Sequence, residues 1–193
     1  MRLKNAFVSG LFTMFLAGLI VAGAGSAEVR NPPFPSYGSG PIEVRIYSDY
    51  FCPPCRAMEP AVDPILKDLL KKNVIRLTLV DTPFHPHTPL YARYFLYALK
   101  ENNDVEHAFR VRNILFEAST NKSITTKERI EAIFKEKEIP YAVFDAKSAF
   151  EGYNVLLKED NIKATPTCVI IKSGQKKTFA GGADIVNALK YLQ

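Results

Sequence analysis

The chain has 193 residues, 25 Lys and Arg against 20 Asp and Glu for a net charge of +5, and 47% hydrophobic residues. That is apolar material for one domain with a real core. The mild charge, with no Lys/Arg stripe interleaved with aromatics, excludes a nucleic-acid partner. Three cysteines in a chain of this length exclude a disulfide-stapled mini-protein; they point to redox or metal chemistry with one thiol left over.

The chain opens with Arg2 and Lys4 before an apolar run from Phe7 to Ala24, and Gly25-Ser26-Ala27 puts small residues where a signal peptidase needs them. Residues 1–27 read as a signal peptide cleaved after Ala27, which lowers the net charge from +5 to +3. An uncleaved anchor is the alternative, because the run approaches the roughly 20 residues that span a bilayer. Either way the rest is exported, and the absence of a cysteine close behind the run argues against a lipoprotein.

Residues 28–41, with prolines at 32, 33, 35 and 41, read as an extended lead-in. Ile42, Val44 and Ile46 alternate with polar residues as a strand does, and the strand runs into Cys52-Pro53-Pro54-Cys55. Met58, Val62, Ile65, Leu66 and Leu69 then recur at helical spacing, with Pro60 and Pro64 predicting a bend. Val74 to Asp81 is a second strand. From about Leu90 to Lys158 the pattern is helical: Tyr91 to Lys100, Val105 to Ala118, a helix capped by Thr125 and Glu128 and stopped by Pro140, and Phe144 to Lys158. Thr167 to Lys172 and Lys176 to Ala180 form a hairpin, Gly181-Gly182 a turn, and Ala183 to Leu192 a closing helix. The order predicts an α/β domain over 42–193, with a βαβ unit, a helical insertion at about 88–158 and a final hairpin and helix.

A disulfide-exchange catalyst needs one accessible thiolate and a second thiol within reach to resolve the mixed disulfide. Two intervening residues at the start of a helix meet that need, because unpaired N–H groups and the helix dipole there stabilise negative charge. Cys52 is then the nucleophile and Cys55, one turn in, the resolving thiol. Pro53 suits the first helical turn, where a missing N–H costs nothing.

The segment Ser48-Asp49-Tyr50-Phe51-Cys52-Pro53-Pro54-Cys55, Pro60 five residues past Cys55, Thr165-Pro166-Thr167 before an apolar strand, and the helical block together resemble the thioredoxin superfamily, DsbA-like branch. The resemblance implies a thioredoxin fold with a helical insertion and thiol–disulfide oxidoreductase activity in the periplasm or an equivalent oxidising compartment. It further implies protein thiol or disulfide substrates, a membrane or soluble redox partner that recycles the pair, and no cofactor. Thr165-Pro166 would be a cis peptide packed against the cysteines, with Thr165 binding substrate backbone. An isomerase of the family would bring an N-terminal dimerisation domain, and only about 14 residues precede the first strand here, which points to a monomer and against an isomerase.

Two departures matter. The buried carboxylate that thioredoxin-like proteins carry six residues before the first cysteine is replaced by Ile46, so that aid to proton transfer is expected to be absent, with Glu43 and Arg45 on the opposite strand face; Asp49 caps or orients the loop. Pro54 stands where strong DsbA-type oxidants have His, so the potential is expected between those of the oxidants and of reducing thioredoxins, with the direction of electron flow open. Arg56 either supports the thiolate or solvates the helix. Cys168 is a buried core thiol or a third sulfur near the pair. The competing reading is a soft-metal (copper) binding or delivery protein using Cys52, Cys55 and Cys168 or His85 and His87, two loop histidines otherwise simply exposed.

Overall fold

The computed structural model describes residues 34–193, so the signal or anchor segment and the first part of the lead-in lie outside the described residues. The elements in chain order are β1 (Ser36–Tyr37), β2 (Ile42–Ser48), α1 (Pro53–Lys71), β3 (Ile75–Asp81), α2 (Thr88–Glu101) and α3 (Val105–Ala118). They continue with α4 (Lys127–Glu136), α5 (Lys147–Glu159), β4 (Thr167–Lys172), β5 (Gln175–Ala180) and α6 (Gly182–Lys190). Among the described residues no helix is long and apolar enough to cross a membrane.

The five strands form one sheet in the order β1-β3-β2-β4-β5. β2 and β3 run parallel, as a crossover through α1 allows, with Ser48 opposite Asp81 at their C-terminal ends. β4 lies antiparallel to β2, with Tyr47 opposite Thr167 and Ile46 opposite Cys168. These registers bring three segments to one edge of the sheet: the loop after β2, the loop after β3 and the loop before β4.

The period of two along each strand sorts side chains into two cores. Val44, Ile46, Leu77, Leu79, Cys168 and Ile170 face α1, α3 and α6 with Met58, Val62, Leu66 and Leu69. Tyr47, Val80, Val169 and Ile171 face the other way, onto Ala149 and Tyr153 of α5. Each fully buried Leu, Ile or Val stabilises the fold by about 1.5–3 kcal/mol, so both faces must stay covered.

Two local outcomes, β1 and the cap of α4, differ from the pattern reading. The lead-in contains β1, which pairs antiparallel with β3 through Ser36 opposite Thr78; its pairing is made by backbone at the sheet edge, and a proline-rich two-residue strand has no periodicity to read. Gly40 lies so close to β3 that a Cβ would stand 2.3 Å from the Ile75 nitrogen. α1 is one helix that carries Pro60 and Pro64 in its interior; packing of its apolar face against the sheet outweighs the missing hydrogen bonds. The cap of α4 falls on Thr126 instead of Thr125, with no side-chain bond to the backbone.

Candidate active site

Cys52 is the N-cap of α1, in extended backbone, and Pro53 and Pro54 occupy the first two helical positions. The strand therefore ends, and the helix begins, at the cysteine itself. Both prolines are exposed, whereas Cys52 is 6% and Cys55 0% exposed. All three cysteines are free thiols. Cys55 sits one turn in; burial first, and the neighbouring Cys52 thiol second, push its thiol far above the ordinary range.

The Thr165–Pro166 bond is cis, as the resemblance implies, and it closes the site from the β4 side. The Cys52 thiol donates to the Thr165 carbonyl at 3.3 Å, with Thr165 half-buried and Pro166 buried. The Pro166 carbonyl in turn accepts from the N–H of Gly181 at 3.0 Å, tying the loop to the N-terminus of α6. Gly181 holds that junction with a φ of +87°, a conformation that favours glycine.

Asp49 organises the opposite rim. Its carboxylate is wholly buried. One oxygen accepts from the Phe51 N–H at 2.8 Å and the Thr88 hydroxyl at 2.7 Å; the other accepts from the N–H groups of Phe84 at 2.9 Å and His85 at 3.0 Å. The His85 ring nitrogen Nδ1 lies 3.0 Å from the same carboxylate, and the Asp49 carbonyl accepts from the Cys52 N–H at 3.1 Å. One side chain thus fixes the cysteine loop to the loop after β3, which the orienting role read from sequence requires. Phe51 packs on Tyr91 with ring centroids 4.8 Å apart, and its ring centroid lies 6.5 Å from that of His85 and 5.8 Å from that of His87. Both histidines are exposed. Arg56 is half-buried and forms no ion pair among the described residues.

Cys168 is fully buried opposite Ile46 in the same core as the pair, and burial pushes its thiol up to about 12. Among the described residues no three of His, Cys, Asp and Glu come together as a metal-binding group, so the geometry lends the copper reading no support.

Sequence reasoning missed a charged cluster directly beneath the site. Ile46 is apolar and buried, yet carboxylates enter the core from other elements: Glu59 and Asp63 from α1 and Asp81 from the end of β3. A single fully buried guanidinium, Arg112 of α3, bonds Asp81 at 3.0 Å, Glu59 at 3.1 Å and the Ser48 hydroxyl at 2.7 Å. Tyr50 donates to Asp81 at 3.0 Å, and its ring lies 5.9 Å from the guanidinium. Burial raises Glu59 to about 7 and Asp81 to about 6, with Arg112 the largest opposing influence in both cases. The signal was present: Glu59 and Asp63 fall among Met58, Val62 and Leu66 on the inward face of α1. Which residue would neutralise them depends on a contact 53 residues away in the chain.

A dithiol pair at a helix N-terminus, faced by a cis-proline loop on a mixed five-stranded sheet, defines a thioredoxin-fold redox protein. A family profile described as thioredoxin matches residues 38–179. The thiol:disulfide interchange protein DsbA of Bordetella pertussis is 26% identical, over 99% of this chain and 92% of its own length. Two solved structures share the fold. The periplasmic thioredoxin-like protein of Salmonella enterica serovar Typhimurium has a TM-score of 0.62 at 18% identity, covering 85% of this chain and 92% of its own. The α-DsbA1 of Wolbachia pipientis has a TM-score of 0.64 at 13% identity, covering 84% and 92%. The chain belongs to the thioredoxin family, as a DsbA-like thiol–disulfide oxidoreductase.

Proposed function

We propose that the protein is exported to the periplasm and exchanges disulfides with protein substrates through Cys52 and Cys55. Residues 1–27 act as its signal peptide, residues 28–41 as a lead-in, and residues 42–193 as one domain with a helical insertion at about 88–158. It works as a monomer and is recycled by a membrane or soluble redox partner. The observation that carries this reading is the placement of Cys52 at the N-cap of α1, 3.3 Å from the Thr165 carbonyl and in contact with Cys55.

In the reducing direction the Cys52 thiolate attacks a substrate disulfide, forming a Cys52–substrate bond and releasing one substrate thiolate. The Cys55 sulfur then attacks Cys52, the Cys52–Cys55 bond forms, and the second substrate sulfur departs as thiolate. The oxidising direction is the same path reversed. Thr165 and Pro166 receive the substrate backbone beside Cys52. Pro53 and Pro54 keep the rim of the site free of competing N–H donors, while Asp49 holds the loop and Arg56 adds positive charge near it.

The test is the equilibrium reduction potential of the pair in glutathione buffers, with Cys168→Ser as control. A reversible two-electron couple, unchanged in the control, is expected between about −270 mV, the thioredoxin value, and about −120 mV, the DsbA value. Absence of any such couple overturns the reading. A couple that vanishes in Cys168→Ser overturns the assignment of the pair.

A further inference from the structure

The reaction proposed above leaves one proton unaccounted for. Cys55 is 0% exposed and strongly biased toward its neutral thiol, yet it must lose a proton each time the disulfide forms. α1 carries a row of three buried polar side chains on one face, Cys55, Glu59 and Asp63, each four residues from the last. Residues so spaced are neighbours along a helix, with Cβ atoms about 5–6 Å apart. The row starts at the active site and ends where α1 meets α3.

The two carboxyl groups in this row are placed to hold a proton between them. Glu59 and Asp63 lie one helical turn apart and are both buried, and two carboxyls so placed in a core are not both charged cheaply. Asp63 Oδ1 is fully enclosed and has no hydrogen-bond partner, an orphaned oxygen that a proton held by the pair would satisfy. Asp63 Oδ2 accepts from Asn113 Nδ2 at 2.9 Å, and Asn113 is exposed on α3. Glu59 accepts from Arg112 of α3, with Cys55 one turn before it and Asp63 one turn after it on α1; the same guanidinium bonds Asp81 of β3 and Ser48 of β2, with Tyr50 behind Asp81. Three carboxyls against one guanidinium cannot all be charged cheaply in this core. If the cluster served only to anchor α3, one acid beside Arg112 would suffice. The extra acids add a proton that is loosely held and lies in line with Cys55.

We propose that Cys55, Glu59 and Asp63 form a proton path along the buried face of α1, with Glu59 the immediate acceptor of the Cys55 proton. With the mixed disulfide formed, the Cys55 S–H proton passes to the Glu59–Asp63 pair, which holds one proton and takes a second. The Cys55 thiolate attacks Cys52, the Cys52–Cys55 bond forms, and the substrate sulfur leaves with the electron pair of the broken bond and is protonated by water. The pair then releases its extra proton past Asp63 beside Asn113. When the disulfide is reduced, the proton returns by the same route.

The inference rests on the disulfide-exchange reading, and the experiment separates the two. The Cys52–glutathione mixed disulfide is formed on the full chain, and its resolution by Cys55 is followed in single turnover from acid to alkaline pH. Glu59→Gln, nearly isosteric and still able to bond Arg112, is expected to slow resolution about a hundredfold near neutrality, within the usual range for a lost proton-transfer group. Its rate should converge on the unmodified protein at alkaline pH, where hydroxide removes the proton. Asp63→Asn should slow resolution less, and Glu59→Asp should recover part of the rate. In the unmodified protein, infrared spectra recorded during resolution should show a transient protonated-carboxyl C=O band. That band decides the matter if Glu59→Gln does not fold.

A Glu59→Gln profile matching the unmodified protein, uniform slowing at every pH, or the absence of a transient carboxyl band during resolution overturns the path while disulfide exchange stands. Failure of the unmodified protein to resolve any mixed disulfide overturns the exchange reading itself.

Discussion

Replacing Arg112 by Met is the sharpest test of the charged core. Arg112 is 0% exposed, holds Asp81, Glu59 and Ser48, and lies 5.3–5.9 Å from the rings of Phe116, Phe95 and Tyr50. Methionine fills much of the same volume, so the packing loss is modest. Removing one partner of a buried ion pair costs about 3–5 kcal/mol, because the remaining charges stay buried without compensation. That cost depends on pH. Asp81 and Glu59 stand at about 6 and about 7 in the folded protein, raised by burial, against about 4 when unfolded. A carboxyl whose folded value is raised binds its proton more tightly in the native state. Its favourable contribution is therefore present at low pH and is lost as pH rises through the folded value. Without Arg112 both values climb further, and each added unit deepens the loss above them by about 1.4 kcal/mol. Urea unfolding should show the variant destabilised by about 3–5 kcal/mol at about pH 8 and much less at about pH 5, where both carboxyls are protonated. Equal destabilisation at the two pH values, or a larger one in acid, would refute the electrostatic account and leave only packing.

Asp49→Ala strands the N–H groups of Phe51, Phe84 and His85 and the Thr88 hydroxyl in the place of their buried acceptor; at about 1–3 kcal/mol per unsatisfied donor, urea titration should register a loss of at least about 3 kcal/mol. Asp49→Asn should recover only part of it, since an amide nitrogen would then face a donor. Tyr153→Phe should leave stability unchanged or raise it by up to about 1 kcal/mol, because the Tyr153 hydroxyl is buried with no hydrogen-bond partner; a thermal melt showing a clear loss would reveal a partner for that oxygen.

The chemistry of the site was legible locally. Cys-Pro-Pro-Cys between an alternating strand and an amphipathic segment puts the first thiol at a helix N-terminus by backbone geometry alone, and Cys52 is the N-cap of α1. The strands from Ile42 and from Thr167 were equally readable, because alternation and apolar runs are properties of neighbours in the chain. Short-range signals failed where a distant partner decided the outcome. The cap expected at Thr125 falls instead on Thr126. Ser36 and Tyr37 become a strand only because β3 offers them an edge.

The sequence by itself therefore determined the order of the elements from Ile42 onward, the inward faces of the helices and the spacing of the candidate redox pair, since these follow from spacings within a few residues. Only the tertiary structure decided that Thr165 meets Cys52 across 113 residues, that Asp49 staples two loops, and that the carboxyls of α1 and β3 converge on Arg112. The energy of a buried charge is set by which opposite charge lies within a few ångströms of it. No periodicity in a single chain encodes that distance.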